Sequence, residues 1–274
     1  MNSVRTAAVV GLPIDHSLSP LIHTAWLQAA GLQGHYAALA PNTSQALVEL
    51  LDSGTLIGCN VTAPYKGDAY HWALDRQAEM GAEALRTGSV NLLILGDRVR
   101  AESTDGQGMI AAIRARDPAH DFSWGPTVIV GAGGAACAAL HAVQVEGSTD
   151  IRVVNRTLAR AETLSQRFGP GVSAWSLDQL GSAVAGASML INAASQIASP
   201  DLSAMARGAL VMDMTYRPLQ TPLLEAAQAS GLRTVDGLAM LIGQARPSFL
   251  ALFGCEAPDV DVRSLCLRAL EQCG

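Results

Sequence analysis

The sequence predicts an α/β protein built of two domains. Its 274 residues are about the length of two ordinary domains. Hydrophobic residues make up 49% of the chain and charged residues 15%, which leaves ample apolar material for a core. Short apolar runs alternate with stretches of helical composition, most regularly in the second half. Such alternation is typical of a parallel sheet joined by right-handed crossovers.

The first half contains three predicted strands and then a hairpin. The first strand, Ala7 to Val10, ends at the turn Gly11 to Pro13. A helix is predicted from Ser19-Pro20 to about residue 30, because serine can cap a helix and proline suits its first position. Gly31 should end it. The other predicted elements are strand 36–39, helix 44–51, strand 56–62, one polar helix to about residue 84, and strands 89–95 and 98–103 around Gly96-Asp97.

The second half reads as a regular series of strands and helices. A helix from Gly106 leads into a loop between Asp117 and Pro126, which is a candidate domain boundary. Strands are predicted at 127–130, 151–154, 189–191, 210–212 and 233–235, and the chain from Gly237 onward should be helical. We place one domain at residues 1–108, completed by 238–274, and the other at residues 109–237.

Composition excludes several classes of partner. The net charge is −6 and no basic run stands out, so a nucleic-acid partner is not expected. The five cysteines show no C-x-x-C pairing, which argues against disulfides and a zinc site and for a reducing compartment. No stretch approaches the ~18 apolar residues of a membrane helix. We expect a cytoplasmic protein that binds a small molecule and no metal.

The segment Gly131 to Ala136 matches the dinucleotide fingerprint G-x-G-x-x-G/A. Gly131, Gly133, Gly134, Ala135 and Ala136 follow a predicted strand and open a predicted helix. In that setting the glycines permit a tight turn and close approach of a pyrophosphate, which the helix N-terminus favours. The alternative is a helix rich in glycine and alanine that only packs on a sheet.

The end of the next strand indicates which dinucleotide binds. NAD enzymes usually place a carboxylate there, about twenty residues after the fingerprint, for the ribose 2′-hydroxyl. This chain has Asn155, Arg156 and Thr157, with Arg160 one helical turn on. Two guanidiniums and no carboxylate favour a 2′-phosphate, and therefore NADP. The alternative is that both arginines are solvated residues at a helix start.

Eight motifs resemble those of the shikimate dehydrogenase family, and they follow one another in the family's order along nearly the whole chain. Two of them are the fingerprint and the strand end just described. The eight are the segments 11–23, Asn60 to Lys66, Ser89 to Asn91, Ser103 to Gly106, 131–136, Asn155 to Thr157, Asp213 to Tyr216 with Thr221 to Leu223, and 237–244. Eight ordered matches are far more specific than the fingerprint alone. The resemblance implies a substrate domain followed by a Rossmann-type NADP domain, and the NADPH-dependent, reversible reduction of 3-dehydroshikimate to shikimate.

The resemblance also assigns roles to particular residues. It implies that Ser17 and Ser19 bind the substrate carboxylate, and the hydroxyls and free amides of a helix start suit an anion. Ser19 could instead cap the helix, whereas Ser17 has no such structural duty in the sequence. The resemblance implies that Thr62, Asn91 and Gln244 bind the ring hydroxyls of the substrate. Alternatively, Thr62 could be an ordinary strand residue and Asn91 a turn residue.

The catalytic pair implied by the resemblance is Lys66 and Asp105. A ketone that gains a hydride develops negative charge on oxygen and needs a proton donor beside it. A lysine can supply that proton, and a carboxylate can orient the lysine. The resemblance further implies that Tyr216 lines the substrate site near the nicotinamide, although it could equally be a core or strand-end tyrosine, and that Met214 and Gly237 contact the cofactor.

Four positions and one segment depart from the family's usual pattern. They are Thr24, Leu92, Ser103, Ala194 and the segment 196–200, which lacks the usual glycines. They bear on nicotinamide positioning, turnover rate and preference for ring substituents. Two alternatives remain open: a quinate/shikimate dehydrogenase, and a non-catalytic sensor of the metabolite. The sensor could dispense with Lys66 or Asp105, and this chain has both. Either a monomer or a homodimer is compatible with the sequence.

Overall fold

The computed structural model describes residues 5–195, 197 and 200–272. They form two compact units, one made of the residues up to Thr104 together with those from Leu241 on, the other of Asp105 to Met240. The predicted α/β fold with two domains is confirmed. In the part of the chain that is described, no helix is long and apolar enough to cross a membrane.

The first unit contains a mixed six-stranded sheet. Its strands are β1 (Arg5–Val10), β2 (Gly34–Leu39), β3 (Gly58–Val61), β4 (Glu79–Met80), β5 (Leu92–Ile94) and β6 (Arg100–Glu102), and its first helices are α1 (Ser19–Ala29), α2 (Ser44–Asp52), α3 (Lys66–Asp75) and α4 (Ala82–Thr87). The strand order is β2-β1-β3-β5-β6-β4. β1 is parallel to β2 and β3, and β5 is antiparallel to β3 and β6. The predicted hairpin is therefore confirmed, with shorter strands.

The prediction of one polar helix to about residue 84 is wrong. Helix α3 ends at Asp75, and two residues later Gln77 has a left-handed φ of 52°. The chain then pairs with β6, because the amide of Glu79 donates to Val99 and that of Gly81 to Ala101. Pairing with a strand distant in sequence outweighs the local helical preference of this segment.

The second unit contains an all-parallel six-stranded sheet. Its elements are α5 (Asp105–Arg116), β7 (Thr127–Val130), α6 (Gly134–Val145), β8 (Ile151–Asn155), α7 (Leu158–Phe168), β9 (Val172–Ser176), α8 (Leu180–Ala183), β10 (Met189–Asn192), β11 (Leu210–Asp213), α9 (Pro222–Ala229) and β12 (Arg233–Val235). The order β9-β8-β7-β10-β11-β12 is that of dinucleotide-binding folds. The sequence missed β9, an edge strand whose residues are mostly half-buried.

Both faces of this sheet are covered, which makes its strands continuously apolar. Ile129 of β7 belongs to a core with Met109 of α5 and Leu140 of α6. Its neighbours Val128 and Val130 face a second core that α9 supplies. A parallel sheet covered on both faces leaves the carboxyl ends of its strands as the place for ligands.

The predicted helical C-terminal region is also confirmed. Helix α10 (Gly237–Phe253) begins in the second unit and continues into the first, and α11 (Val262–Gln272) follows. The guanidinium of Arg5 donates to the carbonyls of Leu252 (2.6 Å) and Phe253 (2.9 Å), so the end of α10 is fixed to β1. Of the segment 196–200, residues 196, 198 and 199 lie outside the described residues, and with them the departure predicted there.

Candidate active site

In the first unit, Asn91 and Gln244 are brought together by a residue between them, Thr104. The Thr104 amide donates to Asn91 Oδ1 (2.8 Å), and Asn91 Nδ2 donates to Thr104 Oγ1 (3.1 Å). The same Oγ1 lies 3.4 Å from both the carbonyl oxygen and Oε1 of Gln244. Asn91 and Thr104 are buried and Gln244 is half-buried. Three residues far apart in sequence thus form one polar cluster of uncharged donors and acceptors.

A second buried amide side chain, that of Asn60, is bonded to the backbone of this cluster. Asn60 lies in β3 and makes three hydrogen bonds: Oδ1 accepts from Tyr36 Oη (2.7 Å), and Nδ2 donates to the Asn91 carbonyl (3.1 Å) and to Ser248 Oγ (2.8 Å). Ser248 in turn donates to the carbonyl of Gln244 (3.0 Å). Buried polar groups need such partners, and Asn60 thereby links the backbones of Asn91 and Gln244.

The serine pair lies at the start of α1. The amide of Ser19 donates to Ser17 Oγ at 3.3 Å, while Leu18 is the N-cap residue and supplies no side-chain cap. The expectation that Ser17 has no structural role is therefore wrong. Its hydroxyl accepts a hydrogen bond from an amide at the start of the helix, a role that the sequence suggested for Ser19. Ser19 is the first residue of the helix and is buried, whereas Ser17 is half-buried. Thr62 is half-buried directly after β3, and its amide donates to Val10.

Lys66 and Asp105 each begin a helix. Lys66 is the first residue of α3, and its carbonyl accepts from the amide of Val90 (3.1 Å). Asp105 is the first residue of α5, is buried, and follows Thr104 in the chain. Lys66 is thus bonded to Val90, the residue before Asn91, and Asp105 follows Thr104, which is bonded to Asn91 itself.

Lys66 is also the only lysine in the sequence, and the other 17 of the 18 basic residues are arginine. A guanidinium cannot give up its proton at any ordinary pH, whereas an ammonium can. Among the 18 lysine and arginine side chains, Lys66 is therefore the one that can release its proton at ordinary pH. Counting lysines was a sequence signal for this residue in addition to the motif.

In the second unit, the fingerprint residues form the turn between β7 and α6. Gly131 has φ +115°, and a Cβ there would lie 3.2–3.3 Å from backbone atoms of Ala193 and Ala194. Gly133 is the N-cap of α6 and, like Gly134, is exposed. Ala135 is half-buried and Ala136 is packed in the core. Exposed amides at the start of a twelve-residue helix fit a pyrophosphate.

The end of β8 presents two arginines. Asn155 Nδ2 donates to the carbonyl of Thr157 (2.9 Å), which shapes the turn into α7. Arg156, Thr157 and Arg160 are exposed. Within the described ranges, neither guanidinium has a hydrogen bond or an ion pair, although the backbone amide of Arg160 donates to the carbonyl of Thr157. Two cations without internal partners at the carboxyl end of the second strand fit a phosphate of a bound nucleotide.

Beyond β11, a buried carboxylate organises the loop that carries Met214 and Tyr216. Asp213 accepts from the amide of Thr215 (2.9 Å) and from Thr221 Oγ1 (2.8 Å), which closes the loop onto the start of α9. Met214 and Tyr216 are half-buried. Gly237 packs against this loop, because a Cβ there would lie 2.4 Å from the Met214 carbonyl oxygen. Only glycine permits that approach.

A cavity of about 370 Å³ opens at the carboxyl ends of β10 and β11. Its lining is mixed, with Asn192, Asp213, Thr215 and Thr221 beside Pro218, Pro222 and Leu223. Arg217 also lines it, and its Nε is buried without a hydrogen-bond partner. Among the described residues, no group of His, Cys, Asp and Glu side chains could hold a metal ion.

The buried histidine of the N-terminal motif is a scaffold residue. His23 stacks on Tyr36 with ring centroids 4.0 Å apart, and neither of its ring nitrogens has a partner. Burial lowers the pKa of His23 to about 3, so the ring is neutral at ordinary pH. Burial likewise raises the pKa of the nearby Cys59 thiol to about 12. Neither group therefore exchanges a proton at ordinary pH.

Sequence reasoning assigned no role to Asn60, Thr104 or Ser248. A polar residue between Cys59 and Val61, in a strand buried throughout, was the one available signal, because a buried amide must be hydrogen-bonded. Ser248 gave no signal, since its partner Asn60 is 188 positions away.

The fold and site together define a two-domain protein whose second unit is a dinucleotide-binding domain. Two family models match the chain, the "Shikimate dehydrogenase substrate binding domain" at residues 9–93 and "Shikimate / quinate 5-dehydrogenase" at residues 114–205. The chain is 42% identical over 284 residues to a shikimate dehydrogenase (NADP⁺) of Caulobacter vibrioides, covering 98% of both chains. The protein belongs to the shikimate dehydrogenase family.

Solved structures agree with this membership. The shikimate 5-dehydrogenase of Thermus thermophilus, in complex with NADP(H) and shikimate, is 30% identical with a TM-score of 0.81, covering 93% of this chain and 95% of that one. The quinate dehydrogenase of Corynebacterium glutamicum, in complex with NAD, is 26% identical with a TM-score of 0.86, covering 97% of this chain and 100% of that one. Similarity thus extends to proteins named for either substrate.

Proposed function

We propose that this protein catalyses the reversible, NADPH-dependent reduction of 3-dehydroshikimate to shikimate, the step that the family and its NADP-named relatives indicate. The observation in this chain that carries the proposal is the single lysine, Lys66. A reductase needs a group that can release and regain a proton, and Lys66 stands at the family's position for it. The protein is accordingly an oxidoreductase acting on a ring alcohol.

The substrate is assigned to the first unit, for which our sequence limits are 1–108 and 238–274. Ser17 and Ser19 hold the carboxylate with hydroxyls and helix-start amides, and Thr62, Asn91 and Gln244 hold ring hydroxyls. The Asn91–Thr104–Gln244 cluster supports this assignment, because neutral amides and hydroxyls are the groups that a polyol requires. Tyr216 is assigned to the substrate near the reacting carbon.

The cofactor is assigned to the second unit, for which our sequence limits are 109–237. The turn from Gly131 to Ala136 binds the pyrophosphate, and Asn155, Arg156, Thr157 and Arg160 bind the adenosine ribose with its 2′-phosphate. Met214 and Gly237 border the nicotinamide. When bound, NADPH supplies the hydride and NADP⁺ accepts it back. Two exposed arginines without internal partners support NADP over NAD.

The proton is assigned to Lys66. In the reducing direction its ammonium donates to the carbonyl oxygen of the substrate as negative charge develops there, and in the reverse direction the neutral amine accepts the hydroxyl proton. Asp105 orients the ammonium and compensates its charge. We also propose a cytoplasmic location and a monomer or homodimer; Cys59, Cys137, Cys255 and Cys266, which form no disulfide, support a reducing compartment.

The test is the absorbance of reduced nicotinamide with shikimate or quinate and each oxidised cofactor. We expect the highest kcat/KM with shikimate and NADP⁺. Faster turnover of quinate would instead make the protein a quinate/shikimate dehydrogenase. Shikimate binding without turnover by any pair would make it a metabolite sensor.

A further inference from the structure

We propose that Ser248 is a positioning residue for Gln244, and through it a determinant of affinity for the ring hydroxyls of the substrate; this rests on the proposed function. Ser248 lies one helical turn after Gln244 in α10 and is fully buried. Its hydroxyl donates to the Gln244 carbonyl (3.0 Å) and accepts from Asn60 Nδ2 (2.8 Å). One side chain thus joins the helix that carries Gln244 to the central strand β3.

The helix needs this link at this point because Pro247 lies inside it. Proline has no amide hydrogen, so the carbonyl one turn earlier, that of Gly243, has no helical donor from residue 247. The carbonyl of the next residue, Gln244, is met by the Ser248 hydroxyl and lies 3.4 Å from Thr104 Oγ1. Side-chain hydroxyls therefore fix the backbone of α10 where the regular pattern is interrupted.

Asn60 couples this support to the other ring-hydroxyl residue. The same Nδ2 that donates to Ser248 also donates to the carbonyl of Asn91 (3.1 Å). The backbones of Asn91 and Gln244 are thus held at a common point, and their side chains meet at Thr104. Without the Ser248 hydroxyl, Asn60 still holds Asn91, but α10 loses its hydrogen bond to the side chain of Asn60 in β3. The effect should therefore fall on Gln244.

The experiment compares Ser248→Ala with Tyr36→Phe. Each change removes one hydroxyl that bonds to Asn60 in a buried place, so both should lower Tm by similar amounts. Tyr36, however, lies in β2 and has no hydrogen bond to Gln244. We expect Ser248→Ala to raise the KM and Kd for shikimate about three- to tenfold, the range of one net hydrogen bond. Its kcat and its KM for NADP⁺ should stay within about twofold of wild type. Tyr36→Phe should keep the KM and Kd for shikimate, kcat and the KM for NADP⁺ within that same range.

Two outcomes would overturn the role of Ser248. In the first, Ser248→Ala leaves the affinity for shikimate unchanged although Gln244→Ala weakens it. In the second, Tyr36→Phe weakens the affinity for shikimate as much as Ser248→Ala does, which would indicate a general loosening of the packing around Asn60. Failure of the proposed function looks different. The wild type would then not oxidise shikimate, or Gln244→Ala would itself leave shikimate affinity unchanged.

Discussion

Asn91 and Thr104 hold each other by two hydrogen bonds, from the Thr104 amide to Oδ1 (2.8 Å) and from Nδ2 to Thr104 Oγ1 (3.1 Å). The residue that follows Thr104 is Asp105, the proposed partner of the catalytic lysine. Asn91 is thus at once a proposed substrate ligand and the anchor of the backbone that leads to Asp105.

Asn91→Ala should therefore lower kcat as well as raise the KM for shikimate, because it frees the Thr104 amide next to Asp105. We expect each constant to change by about tenfold or more, since a buried donor is left unpaired. Gln244→Ala, which leaves that amide bonded, should act mainly on KM. Steady-state kinetics of both variants test this, and an unchanged kcat in Asn91→Ala would contradict the anchoring role.

Arg156→Ala should weaken NADP⁺ far more than NAD⁺. Loss of a hydrogen bond to a charged group costs ~1.5–3 kcal/mol, which is roughly a 10- to 150-fold rise in the Kd for NADP⁺. Arg207→Ala is the matched control. Arg207 is also exposed, but it precedes β11 and so lies at the amino ends of the strands, whereas Arg156 lies at their carboxyl ends. Titration with both cofactors measures the effect, and an equal loss for each would show that Arg156 does not read the 2′-phosphate.

Lys66→Met should reduce turnover by about 10²–10⁴-fold, the usual contribution of a general acid or base, while shikimate and NADP⁺ still bind. Lys66→Arg separates charge from proton transfer, because arginine keeps the cation but cannot release its proton. We expect the arginine variant to be as slow as the methionine variant. More than about a tenth of wild-type turnover in either would leave water or another residue as the proton donor.

Gly237→Ala should disturb the nicotinamide side of the cofactor site. The added methyl would lie 2.4 Å from the Met214 carbonyl oxygen and 2.6 Å from its carbon, so the Met214 loop has to move. Overpacking of this kind lowers the free energy of unfolding by about 1–3 kcal/mol. Gly181→Ala in α8, where a Cβ meets nothing within 4 Å, is the control. Urea unfolding and NADP⁺ titration check both variants; wild-type values for Gly237→Ala would exclude the close approach.

His23 should make the protein sensitive to mild acid. Burial lowers its folded pKa to about 3 from 6.5, so between these values the unfolded chain binds a proton that the folded chain does not, and stability falls as pH falls. The full loss is on the order of 5 kcal/mol, with about 2 kcal/mol of it between pH 7.5 and 5. His23→Phe should remove that part, whereas His35→Gln, at an exposed histidine, should not. Urea unfolding at both pH values decides, and an unchanged slope in His23→Phe would refute the assignment.

Local signals in the sequence were enough for the fold and for the turn of the dinucleotide fingerprint. Gly131 to Ala136 carry a turn that their own residue types dictate, and the strands around them are apolar runs that only a covered parallel sheet accommodates. Two of the failures share one cause. The break after Asp75 depends on pairing with β6, and the support of Gln244 depends on Asn60, 188 positions from Ser248. Neither interaction leaves a local pattern.

The absence of any second lysine gives this enzyme an unusual experimental property. Protein grown with isotope-labelled lysine carries the label at one side chain, so its NMR spectrum contains a single ε-amine resonance, that of Lys66. Following that resonance against pH, with and without bound shikimate, reads the ionisation of the proposed proton carrier directly and without any mutation. Amine-directed reagents gain the same selectivity among side chains, since arginine does not react as an amine.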